Sequence, residues 1–521
     1  MHKLIQSSIL GLLSTFAVHA GPLDTVGVTL LRQVDPTLTG SGVRVAQAEA
    51  SLSTATPPTF EVNPASIGQL ESLFNYSSSS GTATTFPNSV GQESGHADGV
   101  ANNFYGASAG VAPSVAHVDN YDADYFYQNF ILPASASIPG RIVNQSFVFG
   151  TTPPSPPQTT IDLQYDSFAV RNNVLFVSGA GNDPGGSVNP PATCYNGIGV
   201  GVVDGPSSPG PTPDNGRCKP DLCAPGGATS FSTPFVSGAA TILLQAGLRG
   251  DGGAGAITND ASDIRTLKAL LLNGAIKPAG WTNGATTPLD ARYGAGVVNV
   301  FNSWSQLTGQ KRTFIEATSP SSGTSHPPGA NTSNISTLTG WDFRSITNST
   351  LNDKVNHYYF NLAATNVARY TATATLAWNR ALAQNGINNL DLFLYDTSSG
   401  NLIASSVSAV NNVEHLYLPK LPSGRYDLQV RIPAGGVVGN TETYALAFEF
   451  FAHRLTISKT AGGLSLSWPI APTGFSLQSA TNLNPAINWS AVAATPSVST
   501  GSNVVALPSD LPSQFFRLVR P

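Results

Sequence analysis

The stretch that most constrains this chain places a serine directly ahead of an apolar run. Residues 226–240 read GGATSFSTPFVSGAA, and the small and branched residues over 235–244 predict a buried helix. Ser230 then lies at the mouth of that helix, where free backbone N–H groups and the helix dipole favour an anion such as an attacked carbonyl oxygen. Pro234 fits the first turn, where no N–H is needed. Such a cluster is also typical of a simple helix cap, so a nucleophilic role for Ser230 requires a base elsewhere.

The composition indicates several turn-rich and β-rich domains. Only 11% of the 521 residues are charged, against roughly 25% in an average soluble protein, and the chain contains 51 glycines and 38 prolines. This length has room for about two to four domains. The formal net charge is −5 with no basic stripe, so we expect no nucleic-acid partner. We also expect a monomer.

The first 20 residues are typical of a secretory signal. His2 and Lys3 precede an apolar segment over 4–18, and the stretch ends in a small residue, Ala20, after which we expect cleavage. A buried N-terminal helix is the alternative. Because no later run reaches the roughly 20 apolar residues of a membrane span, we expect a soluble, exported protein without a transmembrane segment.

The cysteines allow one disulfide in an exported chain. Cys194, Cys218 and Cys223 all lie within one 30-residue window. We favour a Cys194–Cys218 bond, because Cys223 lies in what the pattern indicates is a buried strand end. A zinc site is the rival, but cysteines with no nearby histidine are a poor zinc cage. We predict no cofactor and no catalytic metal.

Alternating apolar strands and helices up to about residue 308 predict a doubly wound parallel α/β sheet. The first strand ends in Glu49, at the carboxyl edge where such sheets place their sites, although a lone glutamate there is often only solvated. A short helix is predicted over 67–74, and an amphipathic helix over 263–274. The predicted strands of this domain are 43–49, 141–147, 174–178 and 198–203.

A histidine base for Ser230 must come from one of two residues. Between residues 21 and 310 the chain contains only His96 and His117. His117 lies inside a strand-like run, which favours a structural role. His96 stands at the head of a small-residue helix beside Gly95, where access is freer. We therefore predict His96 as the base.

A glycine-containing loop follows the strand at 174–178. Its sequence GAGN over 179–182 differs from a dinucleotide loop, because the third glycine is misplaced and Pro184 intrudes. Glycines here let a substrate backbone approach closely. The interpretation we prefer is that the Asn182 amide points at the reacting carbonyl.

The order of these blocks over residues 35–308 resembles the subtilisin-like serine proteases, the subtilases. HADGVA at 96–101 stands where the family has His-Gly-Thr-His-Val-Ala, AGN at 180–182 resembles its oxyanion segment, and ATSFSTP at 228–234 resembles Gly-Thr-Ser-Met-Ala-Thr-Pro. The resemblance implies that Ser230 attacks a peptide carbonyl and that His96 takes and returns the proton. It also implies that Asn182 and the Ser230 N–H hold the oxyanion.

The acid departs from the family pattern. Residues 43–49 align with the strand that normally ends in aspartate, but this chain has Glu49. The acid only orients the imidazole and stabilises its cation, so any carboxylate that reaches Nδ1–H can serve. The related sedolisins also use glutamate and serine, but with aspartates in place of the histidine base and at the oxyanion position. His96 and Asn182 therefore favour the subtilisin-like mechanism, with a neutral to alkaline optimum.

The resemblance also implies where a substrate binds. The segment Ser146-Phe147-Val148 is similar to the edge strand that pairs with substrate backbone, and Gly179-Ala180 resembles the opposite wall of the primary pocket. Phe149 fits either an apolar lining or the core. No inhibitory propeptide of family size fits between Ala20 and the first strand, so we expect folding without one or with a short leader. The predicted substrate-contacting residues are Ser146, Phe147, Val148, Gly179 and Ala180.

Three further segments follow the catalytic domain, which we assign to 21–310. Residues 311–338 are polar and rich in Pro, Gly and Ser, which indicates a linker. Short alternating strands over 339–452 predict an antiparallel sandwich and resemble the jelly-roll module that follows several subtilase domains. Asp391 and Asp396 there fit either a structural calcium or an ordinary turn. Residues 453–521 resemble a small immunoglobulin-like β domain, whose role in binding, anchoring or sorting stays open.

Three functions fit these observations. The first is a secreted serine endopeptidase that hydrolyses protein or peptide substrates through an acyl-enzyme, with Glu49, His96 and Ser230 as its triad. The second is a catalytically inactive subtilase-fold binding or surface protein, with Glu49 as a sign of decay. The third is a carbohydrate-binding or adhesion protein dominated by its β modules.

Overall fold

A computed structural model describes most of the chain after the predicted signal. The described residues are 21–51, 55–150, 157–253, 258–323, 325–364, 369–452, 454–460, 462–484, 487–499, 501–508 and 514–519. The predicted signal peptide over 1–20 lies outside them.

The N-terminal region is built on an eight-stranded sheet. Its strand order is β10-β9-β8-β7-β1-β6-β3-β4, and every neighbouring pair is parallel except β3–β4. Strands β2 and β5 pair separately. The strands are β1 (Arg44–Glu49), β2 (Thr59–Glu61), β3 (Phe74–Ser78), β4 (Gly81–Ala83), β5 (Gln92–Glu93), β6 (His117–Asp122), β7 (Ile142–Gln145), β8 (Leu175–Gly179), β9 (Ile198–Val202) and β10 (Leu222–Ala224).

Helices connect and cover these strands. The longest helix, Thr229–Arg249, is central, and most of its residues are buried. The α-helices are α1 (Pro22–Thr25), α2 (Val28–Val34), α3 (Gly95–Tyr105), α4 (Ala123–Phe126), α5 (Gln158–Asn172), α6 (Thr229–Arg249), α7 (Thr258–Ala261), α8 (Ile264–Asn273) and α9 (Val300–Thr308). The parallel α/β architecture predicted from the sequence is confirmed.

Helix α6 forms the centre of the core. Among the described residues it is the one helix long and apolar enough to cross a membrane, yet 83% of that apolar window is buried inside the protein. A Cβ on Gly238 would lie 2.4 Å from Cβ of Val111, so the glycine lets α6 approach its neighbour closely. The apolar surface of α6 is therefore used in packing.

The short helix predicted over 67–74 is wrong. The chain instead makes two 3₁₀ turns, Pro64–Ile67 and Glu71–Leu73, and then enters β3 at Phe74. Gly68 ends the first turn with φ of 71°, a left-handed conformation that stops a helix. Of the apolar residues that indicated a helix, Phe74 begins β3, whereas Leu70 is 74% exposed.

A sandwich of two antiparallel sheets follows, as the sequence predicted. The strand orders are β11-β13-β18-β15-β16 and β12-β19-β14-β17. The segment predicted as a linker contains β11, which pairs with β13, and Ile335, which is buried in the sandwich core. The domain boundaries and the jelly-roll topology stay predictions. The strands are β11 (Glu316–Thr318), β12 (Thr339–Thr347), β13 (Lys354–Leu362), β14 (Arg369–Trp378), β15 (Asp391–Asp396), β16 (Leu402–Ser406), β17 (Val413–Pro422), β18 (Gly424–Ile432) and β19 (Thr441–Ala452).

The C-terminal unit is small and also antiparallel. Its two sheets have the orders β20-β21-β25-β24 and β23-β22-β26 and enclose a core that includes Leu466 and Trp468. Its likeness to an immunoglobulin domain stays a prediction. The strands are β20 (Thr456–Thr460), β21 (Gly463–Pro469), β22 (Ser476–Ala480), β23 (Ser490–Ala491), β24 (Ser497–Ser499), β25 (Ser502–Leu507) and β26 (Phe515–Val519).

The sandwich packs on the α/β domain through buried polar contacts. Arg380 of the sandwich lies 2.8 Å from the Asp166 carboxylate of α5. The Asn196 side chain accepts from the Arg380 N–H at 2.8 Å and donates to its carbonyl at 3.0 Å. These contacts tie the two domains together.

The predicted Cys194–Cys218 disulfide is wrong, because all three cysteines are free thiols. Cys194 is buried with its sulfur 3.5 Å from Asp162 Oδ1. Cys218 instead faces the sandwich, where Asn411 Nδ2 donates to its sulfur at 3.7 Å. The two sulfurs therefore have different partners, although their sequence positions are close.

Candidate active site

The predicted acid and base are in direct contact. Glu49 ends β1 and is 1% exposed, and His96 lies in the first turn of α3, which begins after the N-cap Ser94. Nδ1 of His96 lies 2.9 Å from Oε2 of Glu49. The hydrogen bond to Glu49 raises the pKa of His96 above its ordinary value, and burial opposes this only in part.

Ser230 lies at the start of α6. It is the second residue of that helix, so its N–H is among the first-turn groups that have no intrahelical partner. Gly226 and Gly227 form the turn before the helix with φ of 154° and 72°. The Asp204 carboxylate accepts from both of their amides, at 3.0 and 2.9 Å, and tethers the turn.

The sequence predicted Pro234 in the first turn of the helix, and this prediction is wrong. Because α6 begins at Thr229, Pro234 is an interior residue. It has no N–H, so the carbonyl of Ser230, four residues earlier, receives no helical hydrogen bond. Ser146 Oγ donates to that carbonyl at 2.8 Å instead. In turn, Ser230 Oγ donates to the carbonyl of Ser146 at 3.3 Å.

The base packs against the residue that follows the serine. The His96 ring centre is 5.6 Å from that of Phe231, the residue after Ser230. Within the described part of the chain, no hydrogen bond joins His96 to Ser230, whose hydroxyl points to Ser146. The hydrogen bond between a catalytic base and its nucleophile is often long without substrate and shortens in the complex.

Asn182 is oriented by the residue next to the serine. Its Oδ1 accepts from the backbone N–H and the hydroxyl of Thr229, at 2.8 and 2.9 Å. This arrangement leaves Nδ2 without an acceptor among the described residues. An exposed amide N–H₂ and the Ser230 N–H are the kind of donors that bind an oxyanion.

The residues predicted to contact substrate differ in exposure. Residues 146–150 follow β7 outside any strand, with Val148 40% exposed and Phe147 partly exposed. Phe149 packs its ring 5.1 Å from that of Tyr127, so it joins an aromatic cluster. Gly179 and Ala180 are buried at the end of β8, and a Cβ at Gly179 would lie 3.3 Å from Thr233 Oγ1.

The other histidine lies at the amino end of its strand, whereas Glu49 lies at the carboxyl end of the neighbouring strand. His117 begins β6 and pairs in register with Arg44, whereas Asp122 at the far end of β6 pairs with Glu49. Burial lowers the pKa of His117, and the nearby Arg44 contributes. His117 is thus separated from Glu49 by the length of a strand.

Sequence reasoning missed Gln47, which contacts the acid. Gln47 is fully buried, and its Nε2 donates to Oε1 of Glu49 at 3.0 Å. The signal was present in the strand pattern, because residues two apart in a strand face the same side. Gln47 is the one polar residue between Val45 and Ala48, and its position two residues before Glu49 pointed to this contact.

A serine at a helix mouth and a carboxylate–imidazole pair at the same end of a parallel sheet are the groups that a serine hydrolase requires. Residues 84–296 match the model of the subtilase family of peptidases. The chain therefore contains a subtilase-family domain, which supports a serine peptidase activity. The match includes His96, Asn182 and Ser230 but begins after Glu49.

A comparison with solved structures also found proteases among the similar chains. The prenylagaramide maturation protease PagA is 21% identical, with 54% of this chain and 99% of that chain covered and a TM-score of 0.36. A serine protease of Aeromonas sobria is 13% identical over 80% of this chain and 89% of that chain, also with a TM-score of 0.36. A search of the curated proteins found no match.

Proposed function

We propose that this chain is a secreted serine endopeptidase that acts through Glu49, His96 and Ser230. The observation that carries the proposal is the 2.9 Å contact between His96 Nδ1 and Glu49. That contact lies at the edge of the sheet where Ser230 opens α6. An imidazole held by a carboxylate through Nδ1 has Nε2 available to accept a proton.

The chemistry follows from these positions. Ser230 Oγ attacks the peptide carbonyl carbon while His96 Nε2 takes its proton, and Glu49 stabilises the imidazolium. Asn182 Nδ2 and the Ser230 N–H stabilise the oxyanion. His96 then protonates the leaving amine, and an acyl-enzyme on Ser230 remains. Water, deprotonated by His96, hydrolyses that ester and restores the hydroxyl.

The hydroxyl must leave its present partner before attack. Ser230 Oγ donates to the Ser146 carbonyl at 3.3 Å, which is a long O–H···O hydrogen bond. A turn about χ1 of Ser230 redirects the hydroxyl without moving the helix. Because the residues after Ser146 lie outside any strand, a substrate backbone can pair there and displace this bond.

Two different parts of the chain support cleavage within a substrate chain and secretion. Residues 146–150 lie outside any strand and Val148 is 40% exposed, so an extended peptide can lie along them, which favours cleavage within a chain over cleavage at its ends. Export is supported by the sequence of residues 1–20.

An inactive binding protein is the second candidate. The observation that favours it is that Ser230 donates to Ser146 and not to His96. A serine kept in that state has no activated oxygen, and the fold would serve only to bind.

Labelling with a fluorophosphonate probe separates the two candidates, because only an activated serine reacts. We expect the wild-type chain to be labelled and to cleave internal bonds of a mixed-peptide digest. Ser230→Ala and His96→Ala should abolish both. Ser232→Ala is the matched control, since Ser232 is fully buried and its hydroxyl donates to Ala224 O at 3.1 Å. A folded wild-type chain that is not labelled contradicts the proposal.

A further inference from the structure

A buried amide connects the acid to the helix that carries the base. Gln47 lies on β1, two residues before Glu49, and has no solvent exposure. Its Nε2 donates to Glu49 Oε1 at 3.0 Å and to the Ala97 carbonyl at 3.0 Å. Ala97 follows His96 in α3, so a single N–H₂ group contacts both the acid and the backbone next to the base.

A tyrosine determines which way this amide faces. The hydroxyl of Tyr105, at the end of α3, donates to Gln47 Oε1 at 2.6 Å. Burial raises the pKa of Tyr105 well above its usual range, so the hydroxyl keeps its proton. With Oε1 held by Tyr105, the N–H₂ end must face Glu49. The reversed amide would place an oxygen against the carboxylate and against the Ala97 carbonyl.

The glutamate needs such a contact more than an aspartate would. Its side chain has one more rotatable bond, so the carboxylate can reach more positions. Oε2 meets His96, and without Gln47 the buried Oε1 would lose its hydrogen bond from that side chain, which is costly for a buried charge. Gln47 therefore favours the rotamer in which Glu49 reaches the ring.

We propose that Gln47, held by Tyr105, is a positioning residue that fixes the Glu49 carboxylate against His96. This inference rests on the proposed function and names how its unusual acid is held. Gln47 acts through Glu49 and does not touch the substrate. Its effect should therefore appear in the turnover step and not in substrate binding.

Two substitutions remove the contact in different ways. Gln47→Met keeps the side-chain length but removes both N–H donors, and Tyr105→Phe keeps the ring but frees the amide to turn. We expect kcat to fall about tenfold to a hundredfold in each, because a misplaced catalytic group costs that much, while KM changes less than twofold. Tyr76→Phe is the matched control, since its buried hydroxyl donates to the Val62 carbonyl at 2.9 Å outside this chain of contacts. We expect its kcat to be unchanged.

The double variant shows whether the two residues act as one unit. If Tyr105 acts through Gln47, adding Tyr105→Phe to Gln47→Met causes no further loss of kcat. Adding Tyr76→Phe to Gln47→Met also leaves kcat at the single-variant value. Independent, multiplicative losses from Gln47 and Tyr105 overturn the inference, as does a kcat in either single variant equal to wild type. A loss confined to KM overturns it too.

A spectroscopic measurement separates this inference from the proposed function. The His96 Nδ1 proton shared with Glu49 should give a low-field proton resonance in the folded wild-type chain, identified by its loss in His96→Ala. We expect that resonance to move upfield or broaden away in Gln47→Met and to persist in Tyr76→Phe. A resonance unchanged in Gln47→Met overturns the inference even if the enzyme is active. An inactive wild-type chain with the expected resonance changes overturns only the proposed function.

Discussion

At the scale of single residues, the site depends on the carboxylate that makes His96 a stronger base. The hydrogen bond that Glu49 accepts from His96 Nδ1 is the main cause of the raised pKa of His96. The imidazole accepts the serine proton only when it is neutral, so activity should fall as the pH drops below that pKa. The acid limb of the pH profile is therefore expected above the ordinary imidazole pKa of about 6.5.

Glu49→Gln tests this assignment. The amide can still hydrogen-bond, but it carries no charge to stabilise the imidazolium and can favour the wrong tautomer, so we expect kcat to fall roughly ten-thousand-fold. The acid limb of kcat/KM should move to lower pH, because the cause of the raised His96 pKa is gone. Steady-state rates across the pH range measure both effects. A loss below tenfold, or an acid limb that does not move, means that Glu49 is not the orienting acid.

The order of short motifs was enough to propose His96, Asn182 and Ser230, because each stands beside small residues at the end of a strand or start of a helix. The contacts that hold them were harder to foresee. Thr229 anchors Asn182 through two hydrogen bonds, and Gln47 anchors Glu49 from within β1. These hydrogen-bond partners depend on how the strands and helices pack, and the spacing of residues along the chain does not show that packing.

At the scale of elements, α6 determines where the serine lies. Its apolar run predicted a buried helix, but the helix begins six residues before that run. The interior Pro234 is tolerated because Ser146 supplies the hydrogen bond that the Ser230 carbonyl lacks. A sequence pattern shows which face is buried, whereas the residue that replaces a missing hydrogen bond comes from another element.

Gly238→Ala tests how closely α6 must pack. The added Cβ would lie 2.4 Å from Cβ of Val111, so the helix or its neighbour must move. We expect a loss of about 1–3 kcal/mol in the free energy of unfolding from overpacking, despite the better helix propensity of alanine. Urea unfolding measures it. Gly95→Ala in α3 is the control, because its Cβ would meet no atom within 4 Å. Equal stability of the two variants would mean that α6 adjusts without strain.

At the scale of the whole molecule, the sandwich shares buried polar groups with the α/β domain. Asn273 of α8 accepts from the hydroxyls of Thr373 and Thr375 at 2.9 and 3.0 Å. The alternating pattern of short strands correctly indicated a β sandwich after the catalytic domain but said nothing of this interface. Thr373 and Thr375, both on β14, look like solvent-facing residues until the α/β domain is placed against them.

Arg380→Ala tests whether the two domains stabilise each other. Arg380 lies 2.8 Å from Asp166, and both side chains are buried. Removing the guanidinium leaves the Asp166 carboxylate buried without its cation, so we expect a loss of about 3–5 kcal/mol in the free energy of unfolding. Arg369→Ala is the matched control, because that exposed arginine bonds only the Lys420 carbonyl at 3.2 Å among the described residues, and we expect a change within about 0.5 kcal/mol.

The measurement should follow unfolding of the α/β domain directly, although the substitution lies in the sandwich. We expect fluorophosphonate labelling of Ser230 in Arg380→Ala to disappear at a lower temperature than in wild type. It should disappear together with the loss of secondary structure measured by circular dichroism. If labelling instead survives the transition of the sandwich, the α/β domain is stable without its neighbour. In that case the Asp166–Arg380 pair only joins two domains that fold independently. If the pair stabilised the α/β domain, the unpaired Asp166 carboxylate would have lowered the unfolding temperature of that domain.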